Sequence, residues 1–150
     1  MKYSDINRYF ESEEALVALP ADLQPMFDTI DDYAQQFLAD IITTSDELRE
    51  AKTRLTGIVA TLQPIYSKSL SFKKQKEYRY YAQKKEKCEA EGGKFVDGVS
   101  EKESKDAVRV YRDLRDILMG YILAANGLIY DAKDRLEAGR KEYHNIKEES

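Results

Sequence analysis

Apolar residues recur at helical spacing along most of the chain. From Asp22 onward they follow one another at steps of three and four, which places them on one face of a helix instead of alternating as in a strand. These residues are Leu23, Met26, Phe27, Ile30, Tyr33, Phe37, Leu38 and Ile41. Thr44 and Glu47 have the spacing of a capping box, which opens a new helix at Ser45. We therefore expect the first helix to end near Thr43.

A second helical run carries an apolar seam that a proline interrupts. The seam consists of Leu48, Leu55, Ile58, Leu62 and Ile65. Pro64 lacks an amide donor and crowds the carbonyl of Ala60, so we expect a kink or a break there. Beyond Pro64 the pattern predicts a helix that continues to Glu91 and stops at the Gly92-Gly93 pair.

Residues 92–99 contain three glycines in eight positions, which is typical of a loop. Ser100 and Glu103 then form a capping box, which predicts a helix from Ser100 to about Ile146. Along this helix the apolar residues keep the alternating steps of three and four that define heptads. We assign five of them to a core or oligomer seam: Tyr111, Leu114, Leu118, Tyr121 and Leu128.

These elements predict an all-α protein with two parts. Residues 1–44 form an acidic N-terminal helical segment, and residues 45–150 form a long antiparallel helical hairpin, or coiled coil, with its Gly-rich turn at 92–99. A helix from 100 to 146 is ~70 Å long, and the remaining residues cannot wrap it into a sphere. We therefore expect the hairpin to assemble as a homo-oligomeric bundle.

Charge, cysteine content and hydropathy indicate the cellular compartment of the protein. The 150 residues carry a formal charge of -4, but residues 1–50 hold 3 basic and 12 acidic residues, whereas residues 51–100 hold 11 and 5. The single cysteine, Cys88, indicates a reducing compartment. No stretch approaches the ~20 apolar residues of a membrane-spanning helix, and the N-terminus does not resemble a signal peptide. We expect a cytoplasmic protein, in the host cytoplasm if it is viral, with no membrane partner.

No combination of residues indicates catalysis. The lone His144 has no second histidine for a metal site, and Cys88 is flanked by acidic residues that disfavour a thiolate. The glycine loop lacks the Gly-Lys-Ser/Thr ending of a phosphate-binding loop. We expect a protein that is not an enzyme and that binds neither a metal nor a cofactor.

The main positive signal is a basic segment with interleaved aromatic residues. Residues 68–87 contain eight basic and two acidic residues, together with Phe72, Tyr78, Tyr80 and Tyr81. Lysines neutralise phosphates and aromatic rings stack on bases, so such a run favours single-stranded nucleic acid. The candidate binding residues are Lys73, Lys74, Lys76, Arg79, Tyr80, Tyr81, Lys84 and Lys87.

Two other interpretations of this segment remain open. In one, it is a solvated helix face whose tyrosines pack on a neighbouring helix while the lysines extend around them. In the other, the acidic first fifty residues cover the basic stripe of their own or of a neighbouring subunit.

Residues 52–146 resemble the UvsY-type recombination mediators of bacteriophages. The resemblance rests on Lys76-Glu77-Tyr78-Arg79-Tyr80-Tyr81, on Gly92-Gly93, on the helix start at Ser100, and on the long helix that contains Gly120 and Gly127. It implies an all-helical oligomer that loads a recombinase onto single-stranded DNA coated by a single-strand-binding protein. It also implies that the basic groups before Tyr80-Tyr81, here Lys76 and Arg79, contact DNA.

The sequence therefore supports two hypotheses. The first is a non-enzymatic single-stranded-DNA-binding accessory that acts as a homo-oligomer, with a recombinase or a single-strand-binding protein as a possible partner. The alternative is a helical protein-protein interaction module, such as a phage-type inhibitor, adaptor or scaffold, that docks through its acidic N-terminal face. This alternative is motivated by the aromatic residues Tyr9 and Phe10, which we expect to be exposed beside the acidic residues.

Overall fold

The computed structural model describes residues 3–148, and within this range it contains five α-helices and no strand. They are α1 (Tyr3–Tyr9), α2 (Glu13–Leu38), α3 (Ser45–Ala90), α4 (Asp97–Ala107) and α5 (Arg109–Glu148). The predicted all-α class is confirmed. None of these helices combines the length and the apolar character needed to cross a membrane. The ends of the predicted segments at Met1, Lys2, Glu149 and Ser150 lie outside the described residues.

Helix α2 ends at Leu38, so the predicted end near Thr43 is wrong. The chain leaves the helix at Asp40, which adopts a left-handed conformation with φ 51°. The Asp40 amide donates to the Phe37 carbonyl (3.2 Å) and the Ile41 amide to the Gln36 carbonyl (3.0 Å), which is the Schellman pattern. A residue other than glycine is strained in this conformation, and a salt bridge from Asp40 to Arg135 (2.8 Å) helps to hold it.

The predicted capping box at the start of α3 is confirmed. The Glu47 amide donates to the Thr44 hydroxyl (3.3 Å), and the amides of Thr44 (3.1 Å) and Thr43 (3.3 Å) donate to the Glu47 carboxylate. These bonds, led by that of the Thr44 amide, lower the pKa of Glu47 because they favour its charged form. Helix α3 accordingly begins at Ser45.

Pro64 does not break α3, which runs without interruption to Ala90. Pro64 and Ala60 are both exposed, so water can hydrate the carbonyl of Ala60 that proline leaves without a donor. Leu62 and Ile65, on either side of the proline, are fully buried and favour the helical conformation there. The helix is thus continuous through Pro64 at the cost of one backbone hydrogen bond.

The predicted stop at Gly92-Gly93 is confirmed. Gly92 has φ 70°, and its amide donates to the Glu89 carbonyl (3.2 Å), while the Gly93 amide donates to the Cys88 carbonyl (3.0 Å). This is a second Schellman motif, here with the glycine that a left-handed residue prefers.

The predicted helix start at Ser100 is wrong. Helix α4 begins at Asp97 after the N-cap residue Val96, which provides no side-chain cap, and Ser100 is a buried residue inside the helix. The loop is therefore shorter than the predicted 92–99. The predicted single helix from 100 to 146 is also divided, because Val108 leaves the helical conformation (φ -107°, ψ 19°) between α4 and α5.

The chain folds into two compact units, each built from two separate stretches of sequence. Unit 1 contains Met1–Pro20 and Pro64–Leu118, and unit 2 contains Ala21–Gln63 and Met119–Ser150. The apolar core of unit 1 comprises Ile6, Tyr9, Phe10, Leu16, Leu19, Ile65, Val108, Tyr111, Leu114 and Leu118. Three of the predicted seam residues, Tyr111, Leu114 and Leu118, therefore lie in this core.

Unit 2 has a core formed by α2, α3 and α5. Its members are Leu23, Phe27, Ile30, Tyr33, Phe37, Ile42, Leu48, Ala51, Leu55, Leu62, Ile122, Ala125 and Ala132. The seam residue Tyr121 is half-buried, stacks on Phe27 (ring centroids 4.1 Å apart) and donates to Asp31 (3.1 Å). Leu128 is also half-buried.

Candidate nucleic-acid interface

The basic segment lies on the part of α3 where the buried face has ended. Ser69 is fully buried, and its hydroxyl donates to the backbone carbonyl of Tyr111 at 3.1 Å. From residue 70 to Ala90 no side chain of α3 is buried. All eight predicted binding residues belong to this stretch, which is part of unit 1.

Helix α4 packs along this stretch of α3 through mainly polar side chains. The buried residues of α4 are Ser100 and Ser104. On α3, Lys73 and Glu77 form a salt bridge of 3.1 Å, with only 18% and 23% of their side chains exposed. The contact between the helices therefore gains little from apolar burial.

Three of the predicted lysines are paired with carboxylates. Besides Lys73, Lys84 forms a salt bridge of 2.9 Å with Glu103 of α4, and Lys87 lies 4.0 Å from Glu91. The hydrogen bond and charge of Glu103 raise the pKa of Lys84, because they stabilise its charged form. A phosphate that binds Lys84 must displace Glu103.

The predicted tyrosine pair is also engaged within unit 1. The Tyr81 hydroxyl donates to Asp97 (2.8 Å), and the Tyr81 ring meets the Phe95 ring edge to face (5.5 Å). The hydrogen bond to Asp97 raises the pKa of Tyr81, since the carboxylate accepts the phenol's proton and disfavours the phenolate. Tyr80 is half-buried and has the Lys84 ammonium 5.7 Å from its ring centroid.

The other predicted cations, Lys74, Lys76 and Arg79, are exposed and form no salt bridge with any residue that the structure describes. Lys85 has the same environment, although it was not among the predicted binding residues. These four side chains are the exposed cations of the segment that pair with no carboxylate in the described range.

Tyr78, like Lys85, is not among the predicted binding residues. Tyr78 is 74% exposed, and its ring stacks on no other ring in the described range. Lys74, Tyr78, Tyr81 and Lys85 fall within about 60° of one another around the helix axis. The signal that could have found Tyr78 is this 4-3-4 spacing, which is separate from the stripe through Lys73, Tyr80 and Lys84.

The acidic N-terminal face contributes a groove in unit 2. A cleft of about 330 Å³ lies between α2 and the first turns of α3, and its charged lining residues are Asp32, Glu47, Glu50 and Arg54. Ile41, 64% exposed, lies at the same cleft. Tyr9 and Phe10, which the alternative hypothesis placed on the surface, are 6% exposed and belong to the core of unit 1, so that expectation is wrong.

Among the residues that the structure describes, no three His, Cys, Asp or Glu side chains come together as a metal site. Cys88 is half-buried beside the Gly93 turn and forms no disulfide. A scan against protein-family models, a search of curated proteins and a search of solved structures each found no match to the chain.

Proposed function

We propose that the protein is a non-enzymatic single-stranded-DNA-binding accessory that acts as a homo-oligomer, in the manner of the recombination mediators it resembles. The observation that carries the proposal is the exposed Tyr78, which lies between Lys74 and Lys85 on one face of α3. Its partners would be single-stranded DNA and a recombinase or single-strand-binding protein.

The accessible residues supply the two interactions that single-stranded DNA needs. Lysine and arginine side chains displace the counterions of the phosphates, and this gain in entropy drives binding at low salt. An exposed aromatic ring stacks on a base and contributes about 1–3 kcal/mol without reading the sequence. Repetition of a weak site around an oligomer then increases the overall affinity through effective concentration.

Replacing Lys74, Lys76, Arg79 and Lys85 together by Ala should remove most of the DNA affinity. Up to four phosphate contacts are lost, so the slope of log affinity against log salt should become shallower by about 2 to 3, at ~0.7 per contact for single strands. Fluorescence anisotropy of a labelled oligodeoxythymidine over a salt series measures both quantities. A far-ultraviolet circular dichroism spectrum checks that the variant remains helical.

The matched control replaces Arg54, Lys133, Arg140 and Lys141 of unit 2 by Ala, which are also exposed; of these, only Lys133 has a salt bridge in the described part of the chain, to Glu137 at 3.8 Å. The control removes the same charge from other surfaces and should bind more tightly than the α3 variant. Equal affinities of the two variants would contradict the assignment to α3. If the unmodified protein does not bind at ~50 mM salt, the most favourable case, the proposed function is wrong.

Tyr78→Ala should weaken DNA binding by about tenfold or more, because it removes a stacking surface and leaves every charge in place. Tyr143→Ala is the control, since Tyr143 is 63% exposed and lies on α5 in unit 2, outside the basic segment. The anisotropy assay compares the two variants at one salt concentration. If they bind equally well, base stacking does not involve Tyr78.

The proposed homo-oligomer would use an exposed apolar face of α5 in unit 2. Met119, Leu123 and Tyr130 are 45%, 59% and 65% exposed, and their spacing places them on one side of the helix. Exposed apolar groups that lie together are typical of protein contact surfaces. The proposed bundle therefore joins copies through this face.

Leu123→Glu should lower the oligomer mass, because it places a charge in the middle of that face. Light scattering coupled to size-exclusion chromatography measures the mass against the 17.3 kDa chain. Val17→Glu, at an exposed apolar residue of unit 1, is the control and should leave the mass unchanged. A mass of 17.3 kDa for the unmodified protein at its highest soluble concentration would rule out the oligomer.

A second candidate function is a protein-protein interaction module that takes a basic segment of a partner in the acidic groove of unit 2. The cleft with Asp32, Glu47 and Glu50, next to the exposed Ile41, favours this candidate. Deletion of residues 1–45 is not a suitable test, because Leu23, Phe27 and other core residues would be lost with the groove.

Point substitutions in the groove test this candidate while they retain the core. Asp32→Asn with Glu50→Gln should release bound partners from a lysate pull-down, whereas Asp22→Asn with Glu14→Gln, at exposed positions outside the cleft, should retain them. Partners that bind both double variants equally would exclude the groove as the docking surface.

A further inference from the structure

Helix α4 places acidic side chains on residues that a DNA strand would need. Asp97 accepts the Tyr81 hydroxyl at 2.8 Å, and Glu103 forms the 2.9 Å salt bridge with Lys84. Phe95, just before α4, packs against the Tyr81 ring. Two of the eight predicted binding residues are therefore occupied by α4, through carboxylates at positions where phosphate oxygens could bind.

The packing of α4 against α3 is weak enough to be broken and formed again. Its only buried side chains are two serines, Ser100 and Ser104, and the one large apolar residue within it, Val99, is 56% exposed. Apolar burial is the main source of packing free energy, so a helix that buries serines is held chiefly by its hydrogen bonds and salt bridges. Salt bridges that are partly exposed, as Lys84–Glu103 is, contribute little to stability.

We propose that α4 is a releasable acidic cover, which competes with single-stranded DNA for Tyr81 and Lys84 and detaches from α3 when the strand binds. This inference rests on the proposed DNA-binding function and adds its regulation. Tyr78, Lys74 and Lys85 are accessible with α4 in place and make the first contacts. Tyr81 and Lys84 join when phosphates replace Asp97 and Glu103.

An anion reaches Tyr81 and Lys84 only if it displaces Asp97 and Glu103. The stronger these two contacts are, the more the cover weakens the binding of other anions. A short or weakly charged anion gains too few contacts to displace both carboxylates. A continuous strand that is already held at Lys74 and Lys85 reaches Tyr81 and Lys84 at a high effective concentration. The arrangement therefore favours a strand of DNA over isolated phosphate groups.

Glu103→Gln and Asp97→Asn each weaken one contact of the cover and should increase the affinity for an oligodeoxythymidine by about two- to fivefold, the range expected for a partly exposed polar contact. The control is Asp106→Asn, which makes the same change of charge on α4 at an exposed residue without a salt bridge in the described range. Anisotropy at ~50 mM salt compares all four proteins.

Amide hydrogen exchange of residues 97–107 provides an independent readout of release. With saturating oligonucleotide the unmodified protein should lose protection in α4 while α3 retains it, and Glu103→Gln should show part of this loss without DNA. Equal affinities of Glu103→Gln, Asp97→Asn and Asp106→Asn would overturn the cover, as would an α4 that stays protected in the DNA complex.

These experiments also distinguish a failure of the proposed cover from a failure of the proposed DNA-binding function. If the unmodified protein and Asp106→Asn bind DNA but the cover variants bind no more tightly, the cover is wrong and the function stands. If no protein in the set binds DNA, the proposed function is wrong and the cover has no ligand to regulate. If only the cover variants bind, the strand does not displace α4, which overturns both the proposed release and DNA binding by the unmodified protein.

Discussion

The hydrogen bond from the fully buried Ser69 hydroxyl to the Tyr111 carbonyl marks the last point at which α3 contributes a buried side chain. A buried hydroxyl needs a partner, and here the partner is a backbone group of α5, which fixes the distance between the two helices. Before this residue, leucine and isoleucine occupy the buried face of α3. After it, the same face carries lysine, glutamate and tyrosine, and unit 1 depends on polar contacts in this region.

This change of composition explains why the candidate site has two classes of residue. Side chains on the α4 side of α3 satisfy one another or the acidic residues of α4, as Lys73 does with Glu77 and Lys84 with Glu103. Lys76 and Arg79 are exposed without a salt bridge in the described range, and so is Lys74, which lines a cleft with Glu101 and Ser104 of α4. One basic segment therefore provides both the contacts that hold unit 1 together and the cations that remain accessible.

The sequence predicted the features that depend on neighbouring residues. The Thr44–Glu47 capping box and the stop at Gly92 each form within one turn of the chain, and both were found where expected. The capping box at Ser100 was predicted on the same grounds and failed, because packing against α3 buries that serine inside a helix that had already begun. A local motif gives way when tertiary burial requires the residue elsewhere.

Features held by distant residues could not be predicted in this way. The end of α2 depends on Arg135, which bonds to the Asp40 carboxylate and to the Phe37 carbonyl (3.3 Å) and lies over the Phe37 ring. The same limit applies to the site, since helical period places Tyr80 and Tyr81 among the lysines but does not indicate which ring packs against Phe95. Only the position of α4 distinguishes the occupied Tyr81 from the exposed Tyr78.

The net charge of -4 is consistent with a nucleic-acid partner, because the acidic and basic residues are concentrated in different parts of the chain. Helix α4 carries four acidic and two basic residues, and it lies along the segment of α3 that carries eight basic and two acidic residues. An acidic helix next to a basic one reduces the repulsion among lysines, which stabilises the free protein. The same proximity reduces the attraction for DNA at long range, because the fields of opposite charges that lie close together largely cancel, and salt screens the remainder beyond a Debye length of ~10 Å at 0.1 M. Affinity at this site must therefore come from close contacts with individual phosphates and bases, which makes the accessibility of Tyr78, Lys74 and Lys85 more important than the total charge.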